Sequence, residues 1–222
     1  MVDLIEPEEL PIWVPGEVLT ASDDLGWLDV GQRSYRYSGL DVPIPPMNHY
    51  MIVRYVEGQT PMDRLVESRW KRTTCVPGHI SLLNRAQPSH WHWTQRINVS
   101  HVYLSESLMS RVAQDVLGRS ISEICLHDVL NAEDPIITSI SDAILGETRN
   151  SAIGGPTYAE ALASEGQCPH HECSHICFLS SGMTSASPIS AFTYLPPFFT
   201  YLLFTSSSDF FSDFKFASFF TS

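Results

Sequence analysis

Apolar and polar positions alternate over several short stretches of the first hundred residues, and a period of two marks a half-buried strand. "PGEVLT" (15–20) offers a short strand, and "NHYMIVRYVEG" (48–58) is a longer β-branched run stopped by Gly58. In that run His49, Met51, Val53 and Tyr55 share one face, and Tyr50, Ile52, Arg54 and Val56 share the other. "MDRLVESRW" (62–70) sets Met62, Arg64, Val66 and Ser68 against Asp63, Leu65, Glu67 and Arg69. "VPGH" (76–79) is a turn, because Pro77 presets one dihedral and Gly78 supplies the other. Strands follow at "ISLLN" (80–84), "SHWHW" (89–93) and "INVSHVYL" (97–104), the first two joined by the turn-like "RAQP". Short strands at roughly 10-residue spacing predict a sandwich or barrel.

The period then becomes helical. In "SESLMSRVAQDVLG" (105–118), Leu108, Val112 and Val116 form a stripe, Ser105 or Ser107 caps the start, and Gly118 ends it. "DPIITSISDAILGE" (134–147) places Asp134 at the N-cap and Pro135 at the first helical position. Its buried stripe is Ile137, Ile140, Ile144 and Leu145. A third helix opens at "GPTYAEALASE" (155–165), with Tyr158 and Leu162 on one face, and its pattern is lost in "GQCPHHECSHIC". The expected layout is an N-terminal segment (1–14), a β-domain (15–104), a helical region (105–165) and a remainder (166–222).

Composition changes the picture of that remainder. Every Phe lies at or after Phe178, every Arg at or before Arg149, and every Trp at or before Trp93. The stretch 178–222 is built of Ser, Phe, Thr and Pro with no lasting period, and it reads as an unrelated low-complexity tail rather than a folded domain. A shifted frame, a gene fusion or a mis-joined exon accounts for such a break. The best membrane candidate, "AFTYLPPFFTYLLF" (191–204), is short of the roughly 20 residues a span needs and contains Pro196-Pro197. With no basic, apolar leader at the N-terminus, a soluble cytoplasmic protein without a membrane partner is expected. A formal charge of −12 argues against a grip on nucleic acid. Five Cys, odd in number and irregular in spacing, form no disulfide framework.

Three segments carry a family resemblance: "VPGHISLLNRAQPSHWHW", "INVSHVYLSESLMSRVA" and "GPTYAEALASE". Over about residues 15–165 the chain resembles the N-terminal effector-sensing domain of AraC-type bacterial transcription regulators. The resemblance implies a mainly β fold with α, a cupin-like β-barrel (double-stranded β-helix) followed by two to three dimerisation helices. It also implies a small-molecule effector bound in the barrel and a homodimer formed through the helices. In the family, DNA is bound by a further domain of two helix-turn-helix motifs. Beyond Glu165 this chain holds one Lys and no Arg. It is therefore expected to be the sensing and dimerisation part, truncated or frame-altered, with DNA binding reserved to an intact family member.

Candidate effector-binding residues follow from the strand faces. Trp91 and Trp93 share one face of their strand, and His101 shares a face with Val99 and Tyr103. His49 lies on the Met51 face, and Arg54 is a candidate clamp for a carboxylate. No cofactor is expected, and nothing argues an enzyme. There is no G-x-S-x-G elbow or phosphate-cradling loop, and Cys75 and Cys125 lack a partner signature. The alternative is a stand-alone cupin, either a metal-dependent enzyme or a small-molecule binding module, with His90, His92 and His101 as metal ligands. Against the metal, the next carboxylate after His92 is Glu106, beyond a whole strand. "CPHHECSHIC" (168–177) offers Cys168, Cys173, Cys177, His170, His171 and His175, but no second ligand pair of the usual zinc spacing follows.

Overall fold

Among the described residues of the computed structural model (4–66, 68–117, 124, 126, 129–150 and 155–165), ten strands build two antiparallel sheets. The strands are β1 (Glu17–Ala21), β2 (Val30–Tyr37), β3 (Leu40–Ile44), β4 (Tyr50–Glu57) and β5 (Thr60–Val66). They continue with β6 (Arg69–Cys75), β7 (Ile80–Leu83), β8 (Ser89–Trp93), β9 (Ile97–Leu104) and β10 (Val129–Ala132). One sheet runs β1-β2-β9-β4-β7-β10 and the other β3-β8-β5-β6. All these residues belong to one unit, Met1–Ala186, in which strands and helices are not separated.

The two sheets face each other over an aromatic core that includes Tyr35, Tyr37, Tyr55, Trp91, Trp93 and Tyr103. This is a mainly β fold with α, built, among the described residues, from two open sheets rather than one continuous closed ladder. Side chains bridge one seam: Asn131 Nδ2 on β10 donates to Thr73 Oγ1 at 3.1 Å and to the Thr74 carbonyl at 3.3 Å, both on β6. The N-terminal segment fills the opposite side. Ile5 pairs with Met47 in a parallel bridge, and a short helix α1 (Leu10–Trp13) lies against β3. Leu10 and Val14 are thereby buried in the core.

The period-two runs at 48–58, 80–84, 89–93 and 97–104 all form strands. The run 62–70 departs from its pattern. It breaks into β5 and β6, and Ser68 adopts φ 63°, a left-handed value that turns the chain back on itself. Gly78, at φ 98°, makes the expected turn before β7. β2, β3 and β10 had no counterpart among the predicted strands, and of β6 only Arg69 and Trp70 fell within a predicted run.

Three helices form α2 (Glu106–Leu117), α3 (Pro135–Arg149) and α4 (Gly155–Glu165). They cover the outer face of the six-stranded sheet, where Leu108, Met109, Val112, Ile144 and Ala163 pack with Val30, Tyr50, Val102 and Leu104. Ser105 caps α2, since its Oγ accepts from the Leu108 N–H at 3.1 Å and donates to Asp29 at 2.6 Å. Those hydroxyls, from Ser105 and then Ser107, with Arg111 beside them, hold the Asp29 carboxyl down at about 2. Asp134 caps α3 as predicted, accepting from the Ile136 and Ile137 N–H groups at 3.0 Å each. The residues 166–222, the Cys168–Cys177 cluster and Cys125 lie outside the described residues. No helix among the described residues is long and apolar enough to cross a membrane.

Candidate functional site

Side chains that alternate inward from both sheets do not fill the space between them. They leave a cavity of about 50 Å³. Roughly 10–15 Å³ admits one water, so the cavity holds about four, or about one aromatic ring. β4 contributes Met51, Val53 and Tyr55, and β9 contributes Ile97, Val99 and His101. Trp91 and Trp93 come from β8, Tyr37 from β2, Met62 from β5 and Ile44 from β3. Leu10 and Val14 of the N-terminal segment complete the wall. Among the described residues no charged side chain lines it.

The aromatic groups hold one another in place. Tyr35 and Tyr37 stack with ring centroids 5.2 Å apart, and Tyr37 meets Trp93 edge-on at 5.8 Å. His101 sits among Tyr35 at 5.0 Å, Tyr37 at 6.2 Å and Tyr103 at 5.9 Å. Its Nδ1 shares a hydrogen bond of 3.1 Å with the Tyr103 hydroxyl, which leaves Nε2 as the ring nitrogen available to a ligand. Burial without a counter-charge pulls the His101 pKa down to about 3, so the ring is neutral at any physiological pH. The same burial raises Tyr37, Tyr55 and Tyr103 well above the ordinary phenol value.

Most polar atoms in this wall are answered. Trp91 Nε1 donates to Ser89 Oγ at 2.8 Å. Ser81 gives its hydroxyl proton to the Leu130 carbonyl, so the Tyr55 hydroxyl, 3.1 Å from Ser81 Oγ, must be the donor of that pair. Two atoms stand apart: the Tyr37 hydroxyl and Trp93 Nε1 are buried with no hydrogen-bond partner among the described residues. Behind the wall, Arg64 is buried with its guanidinium 4.9 Å from the centre of the Trp91 ring.

Of the residues singled out from sequence, the structure brings Trp91, Trp93 and His101 to the cavity, with Tyr103 directly behind His101. His49 and Arg54 do not reach it. Arg54 points from the opposite face of β4 toward the helices, where it donates to Asp142 at 3.2 Å on α3 and to the Tyr55 carbonyl. His49 precedes the strand and lies beside Asn48. The alternative metal set is not assembled. His90 and His92 face outward while His101 faces the core, and each outer imidazole meets its own carboxylate. His90 Nε2 lies 2.6 Å from Asp41, and His92 Nδ1 lies 3.2 Å from Asp63. Asp63 is also gripped by Arg72 at 2.5 and 2.8 Å, which with His92 holds its pKa down at about 2. Among the described residues no group of three or more His, Cys, Asp or Glu is placed to hold a metal ion.

Sequence reasoning missed Tyr37, Leu10 and Val14. For Tyr37 a signal existed: in "RSYRY" Arg33, Tyr35 and Tyr37 alternate with Ser34 and Arg36. Leu10 and Val14 carried none, because their burial depends on where the segment lands.

No protein-family model and no characterised relative matches the chain in sequence. Solved structures do resemble it in fold. The AraC-like transcriptional activator CuxR matches over 62% of this chain and 51% of its own, at 10% identity and a TM-score of 0.44. The EutQ protein of Clostridium difficile matches over 40% of this chain and 66% of its own, at 10% identity and a TM-score of 0.33. Oxalate decarboxylase of Bacillus subtilis matches over 36% of this chain and 22% of its own, at 10% identity and a TM-score of 0.30. The chain thus spans about half the length of CuxR, at 51%, and about two thirds of EutQ, at 66%.

Proposed function

We propose that this chain is the ligand-sensing and dimerisation part of a transcription regulator of the AraC kind, binding a small molecule between its sheets and passing the event to its helices. The observation that carries this reading is the aromatic cavity itself. It is partly open, lined almost wholly by apolar surface and formed without a ligand, as small-molecule sites generally are. Among the described residues its wall supplies no nucleophile paired with a base, which favours binding over conversion.

Tyr55 ties the cavity to the helical layer along two routes. Its hydroxyl reaches Ser81, and Ser81 reaches the Leu130 carbonyl of β10, the strand that leads into the Asp134 cap of α3. Its carbonyl accepts from Arg54, which also holds Asp142 in the middle of α3. A ligand that shifts Tyr55 therefore shifts α3. Pairing of two copies through the helices belongs to the same reading, and Tyr158, exposed on α4, is an apolar group such pairing would cover. The formal charge of −12 weighs against this chain gripping DNA by itself.

Titration of the purified chain with toluene, followed by ligand-observed NMR, tests the proposal. Saturable uptake with altered hydrogen exchange in α2, α3 and α4 is expected. Uptake that leaves the helices unaltered would reduce the chain to a passive binder, and no saturable uptake would overturn the reading. Stoichiometric iron, zinc or manganese, lost on combined His90→Ala and His92→Ala substitution, would favour a metal-dependent cupin instead.

A further inference from the structure

We infer that the outer edge of β6, with the sequence Arg69-Trp70-Lys71-Arg72, takes up a short acidic peptide as an added strand. This edge belongs to the four-stranded sheet, whereas the helices cover the six-stranded one, so docking here does not require the sensing reading.

Backbone geometry is the first argument. β6 ends the order β3-β8-β5-β6, so one of its sides has no neighbouring strand among the described residues. β5 and β6 pair without a register shift, and residues in such a pair turn their N–H and C=O alternately toward the partner strand and away from it. Thr74 marks the phase. It lies opposite Pro61, which has no N–H to give, and its carbonyl accepts from Asn131 on β10. Arg72 and Trp70 share that phase and present their N–H and C=O to the open side. Asn131 covers only the end of the edge, at Thr73 and Thr74.

Charge is the second. In a chain of net charge −12, three of the 13 Lys and Arg fall within residues 69–72, and all four residues there are exposed. Over 63–72 the basic residues Arg64, Arg69, Lys71 and Arg72 outnumber the acidic Asp63 and Glu67. Basic side chains on an edge also deter accidental sheet pairing. Trp70 does not fit that role, because it lays an apolar surface, 56% exposed, beside the open backbone. An antiparallel strand laid along β6 sets one residue opposite Trp70, exchanging both backbone bonds with it, and the next ones opposite Arg69 and Lys71 on the other face. The complementary peptide therefore alternates apolar and acidic residues. A second copy is a poor occupant, since β6 against β6 opposes like charges. A long nucleic acid reaches past this patch over an acidic chain, whereas a short peptide meets mainly charges within the screening length of about 8 Å.

The test is fluorescence polarisation of a labelled heptapeptide of alternating Glu and Val with the full chain, at low salt. Saturable binding is expected, weakened about 10-fold by combined Arg69→Glu and Lys71→Glu substitution. Two further peptides probe the unaltered protein, so the outcome does not depend on a variant folding. A peptide with Lys in place of each Glu should bind at least about 10-fold more weakly. One with Pro in place of the central Val keeps the charge, loses a strand-pairing N–H and should weaken as much. Binding indifferent to that Pro would be charge attraction without strand addition and would overturn the inference. So would binding that survives the double substitution, an absence of saturable binding, or tighter binding of oligothymidylate or of phosphatidylserine vesicles.

Discussion

His101 is a group that water would protonate near neutrality and that the core keeps neutral. Its folded pKa of about 3 lies below the 6.5 of an unfolded histidine, so acid drives protons onto the unfolded chain first. The stability that this neutral ring confers is complete above pH 6.5 and is lost steadily as pH falls from 6.5 toward 3. Around pH 4.5 the loss is about 3 kcal/mol. Asp29 and Asp63 act in a lower window. Their pKa values of about 2 lie below the ordinary 3.8, so their contribution is present above 3.8 and lost below it. His49, whose pKa burial also lowers, has the same sign as His101. His101→Phe is therefore expected to flatten the fall in urea midpoint between pH 7.5 and 4.5, leaving the share due to His49. An unchanged pH slope in the variant would show that His101 is not the group responsible. The histidines also show what residue-level reading can reach. His90 and His92 share a strand face in the sequence, and they share it in the structure. What each of them meets, Asp41 or Asp63, comes from neighbouring strands β3 and β5, and no local pattern carries that information.

Helices were more legible than strands because their signals are local. Asp134-Pro135 sets the start of α3 within two residues, and the structure places the cap there with two bonds of 3.0 Å. Asp134→Ala should cost about 1 kcal/mol and lower the melting temperature by about 2–4 °C, whereas Asp134→Asn should keep most of the stability. A melt of Asp134→Ala that matches wild type would deny the cap its role. β2 was invisible for a different reason. Its inward face carries Tyr35 and Tyr37, but its other face buries Gln32 and Ser34 under the helical layer. Gln32 Nε2 donates to Ser34 Oγ at 2.8 Å and to Ser100 Oγ at 3.0 Å, and Thr20 donates to Gln32 Oε1 at 3.2 Å. A polar face satisfied this way looks, in sequence, like a face turned to water. β6 was obscured by continuity, since Met62–Trp70 alternates as one strand across a turn held at Ser68.

At the scale of the molecule the described residues form three layers, helices, a six-stranded sheet and a four-stranded sheet, with the cavity between the sheets, and the proposed sensing needs its signal to reach the helices. The onset of helix was readable in advance, because the hydrophobic period changes near residue 105, but β10 returns to the six-stranded sheet within the stretch expected to be helical. The place of Leu10 and Val14 in the cavity wall was not readable, since "EELPIW" is too short and too acidic to declare a buried face. A link from the cavity to the helices can run along the six-stranded sheet to its edge rather than through it. Ser81, fully buried on β7, joins the Tyr55 hydroxyl to the Leu130 carbonyl of the edge strand β10, which leads into α3. It is absent from the cavity wall, so Ser81→Ala should change toluene affinity less than about 3-fold while costing about 1–3 kcal/mol of stability for the two partners left unpaired. In wild type, toluene should slow amide exchange across the first turns of α3. In Ser81→Ala that slowing should vanish although toluene still saturates the site, and Tyr55→Phe should behave the same way. If the slowing persists in both variants and disappears instead in Arg54→Gln, transmission runs through the Arg54–Asp142 pair at 3.2 Å. In that case the β10 route supports the fold without carrying the signal.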